Sequence, residues 1–317
     1  DHIPLNRLEQ MFSREGVDIA RQRMCDWLRE MAEQLKPLTL AILERLLEYD
    51  YLQADETRIQ IQLEELKGRL HTGYFWAIHH PPDMVYYHYA PSRASEVPKE
   101  LLRDYRGVLQ TDDYAGYDPV YLPDKCLRLA CMAHMRRKLI EANAAANKHG
   151  TQALEYIVQL YKVERQAKDF KGPAEAWLAN RKQLREQKSR QILERFFDVL
   201  GVIRDTYLPK NELRQAAEYA LKQREEIFRF LADPRFELDN NSIERLMRPI
   251  AVGRKNYLFA GSHAGAEWAA IFYTLINTCK LNKVNPSAYL ADVIKRISSH
   301  PNSRIDELLP FNWKSVS

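Results

Sequence analysis

The amino-acid sequence predicts an α/β protein in which a mixed sheet is interrupted by an all-helical insertion and flanked by helices at both ends. Apolar residues follow a helical period over residues 4–47 and again over 136–232, whereas residues 49–90 alternate with the period of two that is typical of strands. The 317 residues are enough for more than one compact unit, because a domain usually has about 100–200 residues. We therefore expect an α/β core with a separate helical region.

The N-terminal helical region, residues 1–47, is predicted to hold two helices separated by the stretch Glu15–Asp18, which contains Gly16. Two helices joined by a short break resemble a helix-turn-helix, which places its second helix on DNA. A plain helical hairpin packed on the core fits the same pattern, so the sequence leaves both interpretations open.

The first part of the core, residues 48–135, has the pattern of an antiparallel meander followed by a helix and two more strands. Gly73 precedes the second strand, and the turn Pro81–Asp83 leads into the third. The predicted elements are three strands, a helix and two further strands, at Tyr51–Leu63, Tyr74–His80, Met84–Ala90, Ser95–Tyr105, Val108–Asp112 and Leu127–Met132. This order predicts an RNase H-like mixed sheet.

The helical insertion, residues 136–235, is rich in Ala, Glu, Lys, Leu and Arg at helical spacing, with breaks near Gly172 and Pro209. Charges on a solvated helix usually face water. A DNA duplex is an alternative partner for the basic residues Arg181, Lys182, Arg185, Lys188 and Arg190.

A core helix is predicted within residues 236–262, with Asn241 as its N-cap and an end at Pro249 or Gly253. This is the element that carries the last of the acidic residues considered below. Residues 263–317 have helical periodicity and are predicted to form a helical tail.

Composition and charge argue against several classes of protein. No apolar run approaches the ~18 residues of a membrane span and no signal peptide opens the chain, so we expect a cytoplasmic protein without membrane contact. The net charge of +4 fits a polyanionic partner without identifying one. The four cysteines are scattered, which argues against a disulfide scaffold and a structural zinc site. Because the chain opens with Asp1 rather than Met, we expect a fragment or a processed product.

Three carboxylates, Asp55, Asp112 and Glu244, are candidates for holding catalytic cations. Counting by two along the first strand places Asp55 on the same face as Ile59 and Ile61. A carboxylate on this core-facing side of the strand is unexpected unless it has a function. Asp112 ends the fourth predicted strand, which in an RNase H-like sheet lies beside the first. Hard cations such as Mg²⁺ take oxygen ligands, and two of them ~3.5–4 Å apart can activate the attacking hydroxyl and stabilise the leaving oxygen in phosphodiester cleavage.

Each of these carboxylates also has an ordinary structural explanation. Asp55 could end its strand before a bulge at the next two residues, which would place it in solvent. Asp112 is an acceptable turn residue, and Asp113 competes for its role. Glu244 would fit the N3 position of a capping box or pair with Arg248 one turn later. The residues by themselves leave these alternatives open.

The sequence also contains several distinctive segments. In chain order they are Ala54–Thr57 (ADET), Leu109–Tyr117 (LQTDDYAGY), Cys131–Lys138 (CMAHMRRK), Asp239–Pro249 (DNNSIERLMRP), Gly253–Phe259 (GRKNYLF), Pro286–Leu290 (PSAYL) and Asp306–Pro310 (DELLP). These segments resemble the motifs of the transposases of the insertion sequence 66 family, and together they extend over nearly the whole chain. The second segment departs from the family pattern, which has a glycine where this chain has Asp113.

The resemblance implies an Asp-Asp-Glu transposase whose catalytic and metal-binding residues are Asp55, Asp112 and Glu244. It implies two Mg²⁺ ions, for which Mn²⁺ can substitute. Transposon-end DNA and target DNA are the implied partners of a homo-oligomer that acts at the nucleoid. In the expected reaction water cuts one strand at the transposon end, and the freed 3′-hydroxyl then attacks target DNA. The family also has a zinc-binding, DNA-recognising region upstream, whose cysteine cluster does not occur in residues 1–317.

Basic residues near the acids are candidates for holding DNA phosphates, and ordinary salt bridging is the alternative for each. They are Arg245, Arg248, Arg254 and Lys255, which follow Glu244, and Arg136 and Arg137, which follow His134.

His134 is itself a candidate to orient a carboxylate or the scissile phosphate, if it lies at the end of the fifth strand; a satisfied core histidine is the alternative. Cys131 and His134 have a C-x-x-H spacing. Because zinc needs about four ligands, we favour a structural or orienting role for this pair.

Two other functions are consistent with the sequence. An RNase H-like nuclease would hydrolyse nucleic-acid junctions without transferring strands, so a joined product in a strand-transfer assay would distinguish it. A non-catalytic DNA-binding or assembly module would bind DNA in a salt-dependent way that is unaffected by replacing Asp55 and Glu244.

Overall fold

The strands form one five-stranded mixed sheet in a computed structural model of the chain, which describes residues 2–314 apart from the side chain of Glu64. The order in the sheet is β3-β2-β1-β4-β5. The strand β1 is antiparallel to β2, and β2 is antiparallel to β3, so the predicted meander is confirmed. The strands are β1 (Tyr51–Gln62), β2 (Leu70–His80), β3 (Met84–Ala90), β4 (Gly107–Gln110) and β5 (Cys126–Leu129).

Helices precede, interrupt and follow the strands. They are α1 (Leu5–Arg14), α2 (Arg21–Leu47), α3 (Glu96–Leu101), α4 (Met132–Ala142), α5 (Lys148–Asp169), α6 (Ala174–Leu184), α7 (Arg190–Thr206), α8 (Glu212–Leu221), α9 (Arg224–Phe228), α10 (Asn241–Tyr257), α11 (His263–Leu281) and α12 (Pro286–Arg296). A single π-helical turn, Arg185–Ser189, joins α6 to α7. Side chains accept hydrogen bonds from the first backbone N–H groups of α5, α8, α11 and α12, which is the usual way to begin a helix; these caps are Asn147, Asn211, Ser262 and Asn285.

The chain divides into two compact units. The first contains the chain up to Gly107, the segment Ala115–Cys126 and the chain from Ser242 onward. The second contains Val108–Tyr114 and Leu127–Asn241. It therefore includes all of residues 136–235, for which the sequence predicts a helical insertion.

The core of the first unit lies between one face of the meander and the helices α10 and α11. Ile59 and Ile61 of β1 belong to the same buried cluster as Ile243, Met247 and Ile250 of α10. The three α10 residues follow each other at intervals of four and three, so they form one stripe along the helix. This stripe fixes which side of α10 meets the sheet.

The predicted ends of the fourth and fifth strands are wrong. The fourth strand ends at Gln110, before Asp112, because the Asp112 side chain accepts a hydrogen bond from the N–H of Tyr114 at 3.0 Å and forms a turn. The fifth strand ends at Leu129, so the predicted position of His134 at a strand end is wrong.

The core helix α10 differs most from its prediction. It starts at Asn241 and continues through Pro249 and Gly253 to Tyr257, although proline removes one helical hydrogen bond. Ile250 and Gly253 are buried in the packed side of this helix. We attribute the continuation to this packing, which outweighs the local preference of proline.

The predicted break between α1 and α2 is present, with Gly16 at a positive φ of 78°.

Among the described residues, none of the helices combines the length and the apolar character that a membrane span requires.

Candidate active site

Asp55 lies in the middle of β1 on the face that packs against α10. The register with β2 runs without interruption from Gln53 to Gln62, with Asp55 opposite Ala77, so the alternative of a bulge just after Asp55 is wrong. Asp55 is therefore on the same face as Ile59 and Ile61, which are buried. Its own side chain is half-buried, and its Oδ1 accepts a hydrogen bond from the N–H of Glu56 at 2.9 Å.

Glu56 points to the opposite face and has different partners. Its carboxylate accepts hydrogen bonds from Arg93 Nε at 2.8 Å and from the Tyr117 hydroxyl at 2.9 Å. These contacts are a sufficient reason for an acid at position 56. Of the two neighbouring acids, Asp55 is the one that faces the helix carrying Glu244.

Two side-chain contacts hold α10 to β1, one on each side of Asp55. The Ser242 hydroxyl donates to the side-chain oxygen of Gln53, two residues before Asp55. Arg254 Nη1 donates to the Thr57 hydroxyl at 3.1 Å, two residues after Asp55. All of these strand residues share one face because strand side chains alternate.

Glu244 occupies the first turn of α10, two residues after Ser242, and is half-buried. Because α10 is attached at both Gln53 and Thr57, its first turn and the Asp55 face of β1 are brought together within the first unit. Arg248, the predicted pairing partner of Glu244, is exposed one turn later on the same helix.

Asp112 belongs to the second unit, in the loop that follows β4. Arg128 Nη2 contacts this loop at two positions: it donates to the backbone carbonyl of Asp112 at 3.0 Å and pairs with the carboxylate of Asp113 at 2.8 Å. The Asp113 side chain is 36% exposed. The carboxylate of Asp113 is thus engaged by an arginine, which favours Asp112 over Asp113 as the acid available for a cation.

Cys131 is a neutral thiol with a structural partner. Its Sγ donates to Oδ1 of Asn240 at 2.9 Å, and burial raises the pKa of the thiol to about 12. The contact ties the start of α4 to the residue before α10. His134 is half-buried in the first turn of α4.

The predicted DNA-binding residues differ in their surroundings. Arg245, Arg248 and Lys255 are exposed on α10, and Arg136 and Arg137 are exposed on α4. Arg254 instead lies against β1, where it also donates to the carbonyl of Arg58, and burial followed by the nearby Arg58 charge lowers its pKa. An arginine remains cationic even so, and its contact with β1 positions α10.

Within the described residues, no three or more His, Cys, Asp or Glu side chains form a group that could hold a metal ion. The first unit brings the elements of Asp55 and Glu244 together, and Asp112 belongs to the second unit. The site residues therefore remain a prediction.

The sequence reasoning missed Gln53 and Ser242, which attach α10 to β1, and Gln110, whose amide donates to the carbonyl groups of Ala130 and Glu237. Gln53 and Gln110 are fully buried polar residues in strands. Counting by two from Asp55 already places Gln53 on the core face, where a polar side chain needs a hydrogen-bond partner. That signal could have identified Gln53, but no local signal points to Ser242 as its partner.

Two family profiles match the chain. The profile described as "Transposase IS66 family" matches residues 1–268, and the profile described as "IS66 C-terminal element" matches residues 274–311. The chain therefore belongs to the IS66 family of transposases, which confirms the resemblance of its motifs.

Proteins of Sinorhizobium fredii are similar to the chain over almost all of its length. The chain is 33% identical to "Uncharacterized protein y4hP", 31% to "Uncharacterized protein y4qI" and 30% to "Uncharacterized protein y4jD". These matches include 99–100% of the residues of the chain. The chain spans 60–63% of the length of these relatives. No solved structure matches it.

Proposed function

We propose that the chain is the catalytic core of a DNA transposase, in which Asp55, Asp112 and Glu244 hold divalent cations. The observation that carries the proposal is the attachment of α10 to the Asp55 face of β1, with Glu244 in the first turn of the helix. Membership of the transposase family supplies the reaction class.

The donor chemistry of the three residues fits Mg²⁺. All three offer carboxylate oxygens, which hard cations prefer, and the set includes no sulfur or imidazole donor. When bound, two Mg²⁺ ions would lower the pKa of an attacking water or hydroxyl and stabilise the leaving oxygen. Asp55 and Glu244 are both half-buried, on elements that pack against each other in the first unit.

An RNase H-like fold is part of this proposal. The order β3-β2-β1-β4-β5, with an antiparallel β1-β2-β3 meander, supports it. The helices α4 to α9 would then be the insertion between the fifth strand and the core helix. We propose transposon-end and target DNA as substrates, with Arg245, Arg248 and Lys255 of α10 on the phosphates and a homo-oligomer as the active form.

A strand-transfer assay tests the function. Purified chain is incubated with Mg²⁺ and a plasmid that carries the terminal repeats of the element encoding it, and cut and joined products are quantified. Asp55→Asn and Glu244→Gln keep the shape of each side chain but remove its charge. We expect both to lower the rate of cleavage and joining by a factor of about 10³ or more.

Two matched controls separate a local effect from a general loss of negative charge. Asp118→Asn and Glu267→Gln remove exposed carboxylates from the same unit and are expected to react like the unaltered chain. Cut products without joined ones would instead indicate a junction nuclease. Salt-dependent DNA binding without cleavage, unaffected by Asp55→Asn, would indicate a non-catalytic module.

A further inference from the structure

A cleft in the second unit has the chemistry of a phosphate-binding site. It lies between α4 and α5 and has a volume of about 530 Å³. Its wall contains three arginines and one glutamate, an excess of two positive charges; these residues are Arg136, Arg137, Arg165 and Glu141. Arg165, on α5, lies outside the distinctive sequence segments and is not among the candidate residues predicted from the sequence.

The arginines of this cleft are placed to meet a ligand from solvent. Arg136, Arg137 and Arg165 are exposed, and they come from two helices, so their charges converge on one space. A guanidinium group offers a planar set of donors that matches the oxygens of a phosphate and keeps its charge at any physiological pH. The cleft is therefore better suited to phosphate groups than a lysine-rich surface of equal charge.

The remaining wall residues fit a nucleic-acid backbone. Ile140 and Val158 are 43% and 42% exposed, so the cleft offers apolar surface beside its cations. The sugars of a nucleic-acid backbone can pack against such a surface. Tyr161 also lines the cleft, and its hydroxyl donates to the Asp239 carboxylate at 2.6 Å. Burial, followed by the charge of Asp239, raises the pKa of Tyr161, so the phenol adds no negative charge to the cleft.

We propose that the α4–α5 cleft binds the phosphate backbone of DNA, through Arg136, Arg137 and Arg165. The choice of DNA rather than another phosphate compound rests on the proposed function. Asn241, the first residue of α10, is part of the cleft wall, and Glu244 follows it by three residues in the sequence. A backbone held here lies at the start of the helix that carries the proposed catalytic glutamate.

Salt-dependent DNA binding tests the proposal. Fluorescence anisotropy with two short labelled duplexes of unrelated sequence measures the Kd of the chain over a range of salt concentrations. We expect Arg136→Ala and Arg165→Ala each to weaken binding about 5- to 10-fold at 0.1 M salt, equally for both duplexes. Each is expected to lower the slope of log K against log salt by about 1, because one phosphate contact is lost.

Arg195→Ala is the matched control, since Arg195 is an exposed arginine of α7 in the same unit and outside the cleft wall. If the cleft variants lose no more affinity than this control, the cleft does not bind DNA. If a mononucleotide displaces the duplex at constant ionic strength from the unaltered chain but not from Arg165→Ala, the cleft is a nucleotide site and the proposal is overturned.

The outcomes separate this proposal from the proposed function. Unaltered cleavage and joining by both cleft variants, with binding equal to the control, would overturn the cleft and leave the transposase intact. Loss of cleavage in Asp55→Asn together with reduced salt slopes in the cleft variants supports both. A chain that binds neither duplex at any salt concentration contradicts both.

Discussion

Gln110 links the strand that precedes Asp112 to the segment that leads into α10. Its side-chain amide donates to the carbonyl of Glu237 at 2.9 Å and to the carbonyl of Ala130 at 3.1 Å, and the residue is fully buried. Glu237 lies four residues before Asn241, where α10 begins. One glutamine thus joins, within the second unit, the chain segments next to two of the proposed catalytic acids.

Replacing this glutamine by leucine is expected to destabilise the protein by about 1–3 kcal/mol, because two buried carbonyl groups lose a donor while the side-chain volume is nearly kept. Urea unfolding followed by circular dichroism measures the change. Gln159→Leu alters an exposed glutamine of α5 and should change the free energy of unfolding by about 0.5 kcal/mol or less. Equal stability of Gln110→Leu and this control would contradict the linking role.

A second buried network holds the same lead-in segment. Arg185 pairs with Glu164 at 2.8 Å and donates to the carbonyl groups of Phe230, Asp233 and Phe236. Arg181 pairs with Glu164 at 2.6 Å. Both arginines are at most 1% exposed, so the idea that they line a duplex is wrong.

We expect Glu164→Gln to lower the free energy of unfolding by about 3–5 kcal/mol, because Arg185 would be left as an uncompensated buried charge.

The stability of this network depends on pH in a defined direction. Burial by itself raises the pKa of Glu164, but the hydrogen bonds and charges of Arg185 and Arg181 outweigh it, so the pKa lies below its ordinary value of 4.5. Stability from the ionised group is complete above pH 4.5 and is lost as the pH falls through the folded-state pKa.

Urea unfolding between about pH 5 and pH 3 measures this dependence. We expect the free energy of unfolding of the unaltered chain to fall more steeply over that range than that of Glu164→Gln. Glu194→Gln, at an exposed site on α7, should keep the steeper fall. Parallel pH profiles for all three proteins would show that Glu164 is not linked to folding.

The elements set by local pattern could be predicted from the sequence. The predicted strand Met84–Ala90 matches the structure at both ends, since a period-two pattern follows a Pro-Pro-Asp turn. The face of Asp55 could be predicted for the same reason, because strand alternation depends only on neighbours along the chain. The end of β4 could not, because a bond from the Asp112 side chain to the backbone competes with strand pairing.

Long-range partners account for the rest of what the sequence did not reveal. Ser242 and Gln53 are separated by 189 residues, and no periodic pattern links them. The burial of Arg185 depends on Glu164, which lies one helix away at a distance of 21 residues in the sequence. Charged residues of a helix predict a solvated face unless a partner of opposite charge is known to lie beneath them.

Asp112 and Asp113 differ in their contacts with Arg128, which pairs with the carboxylate of Asp113 and bonds the backbone carbonyl of Asp112. We expect Asp112→Asn to lower the rate of strand transfer by a factor of about 10³ or more, as for the other two acids. Asp113→Asn breaks a partly exposed pair with Arg128, which should cost about 1 kcal/mol or less and leave most of the activity. The same plasmid assay compares the two variants. If Asp113→Asn lowers the rate of strand transfer more than Asp112→Asn does, Asp113 rather than Asp112 is the proposed cation ligand.

Cation binding by the acids is also expected to stabilise the folded chain, independently of any reaction. A ligand that binds only the folded state adds about 2.7 kcal/mol when its free concentration is about 100 times the Kd. Thermal unfolding with and without Mg²⁺, at constant ionic strength, should therefore show a rise in Tm for the unaltered chain. Asp55→Asn and Glu244→Gln are expected to lose this rise, because each removes one carboxylate ligand.

The control for this measurement is Asp118→Asn, which removes an exposed carboxylate of the first unit and should keep the full rise in Tm. The Tm of each variant is also measured without Mg²⁺, so that a loss of stability caused by the substitution is separated from a loss of cation binding. A rise in Tm that is the same in all four proteins would place the cation elsewhere and contradict the assignment of these acids.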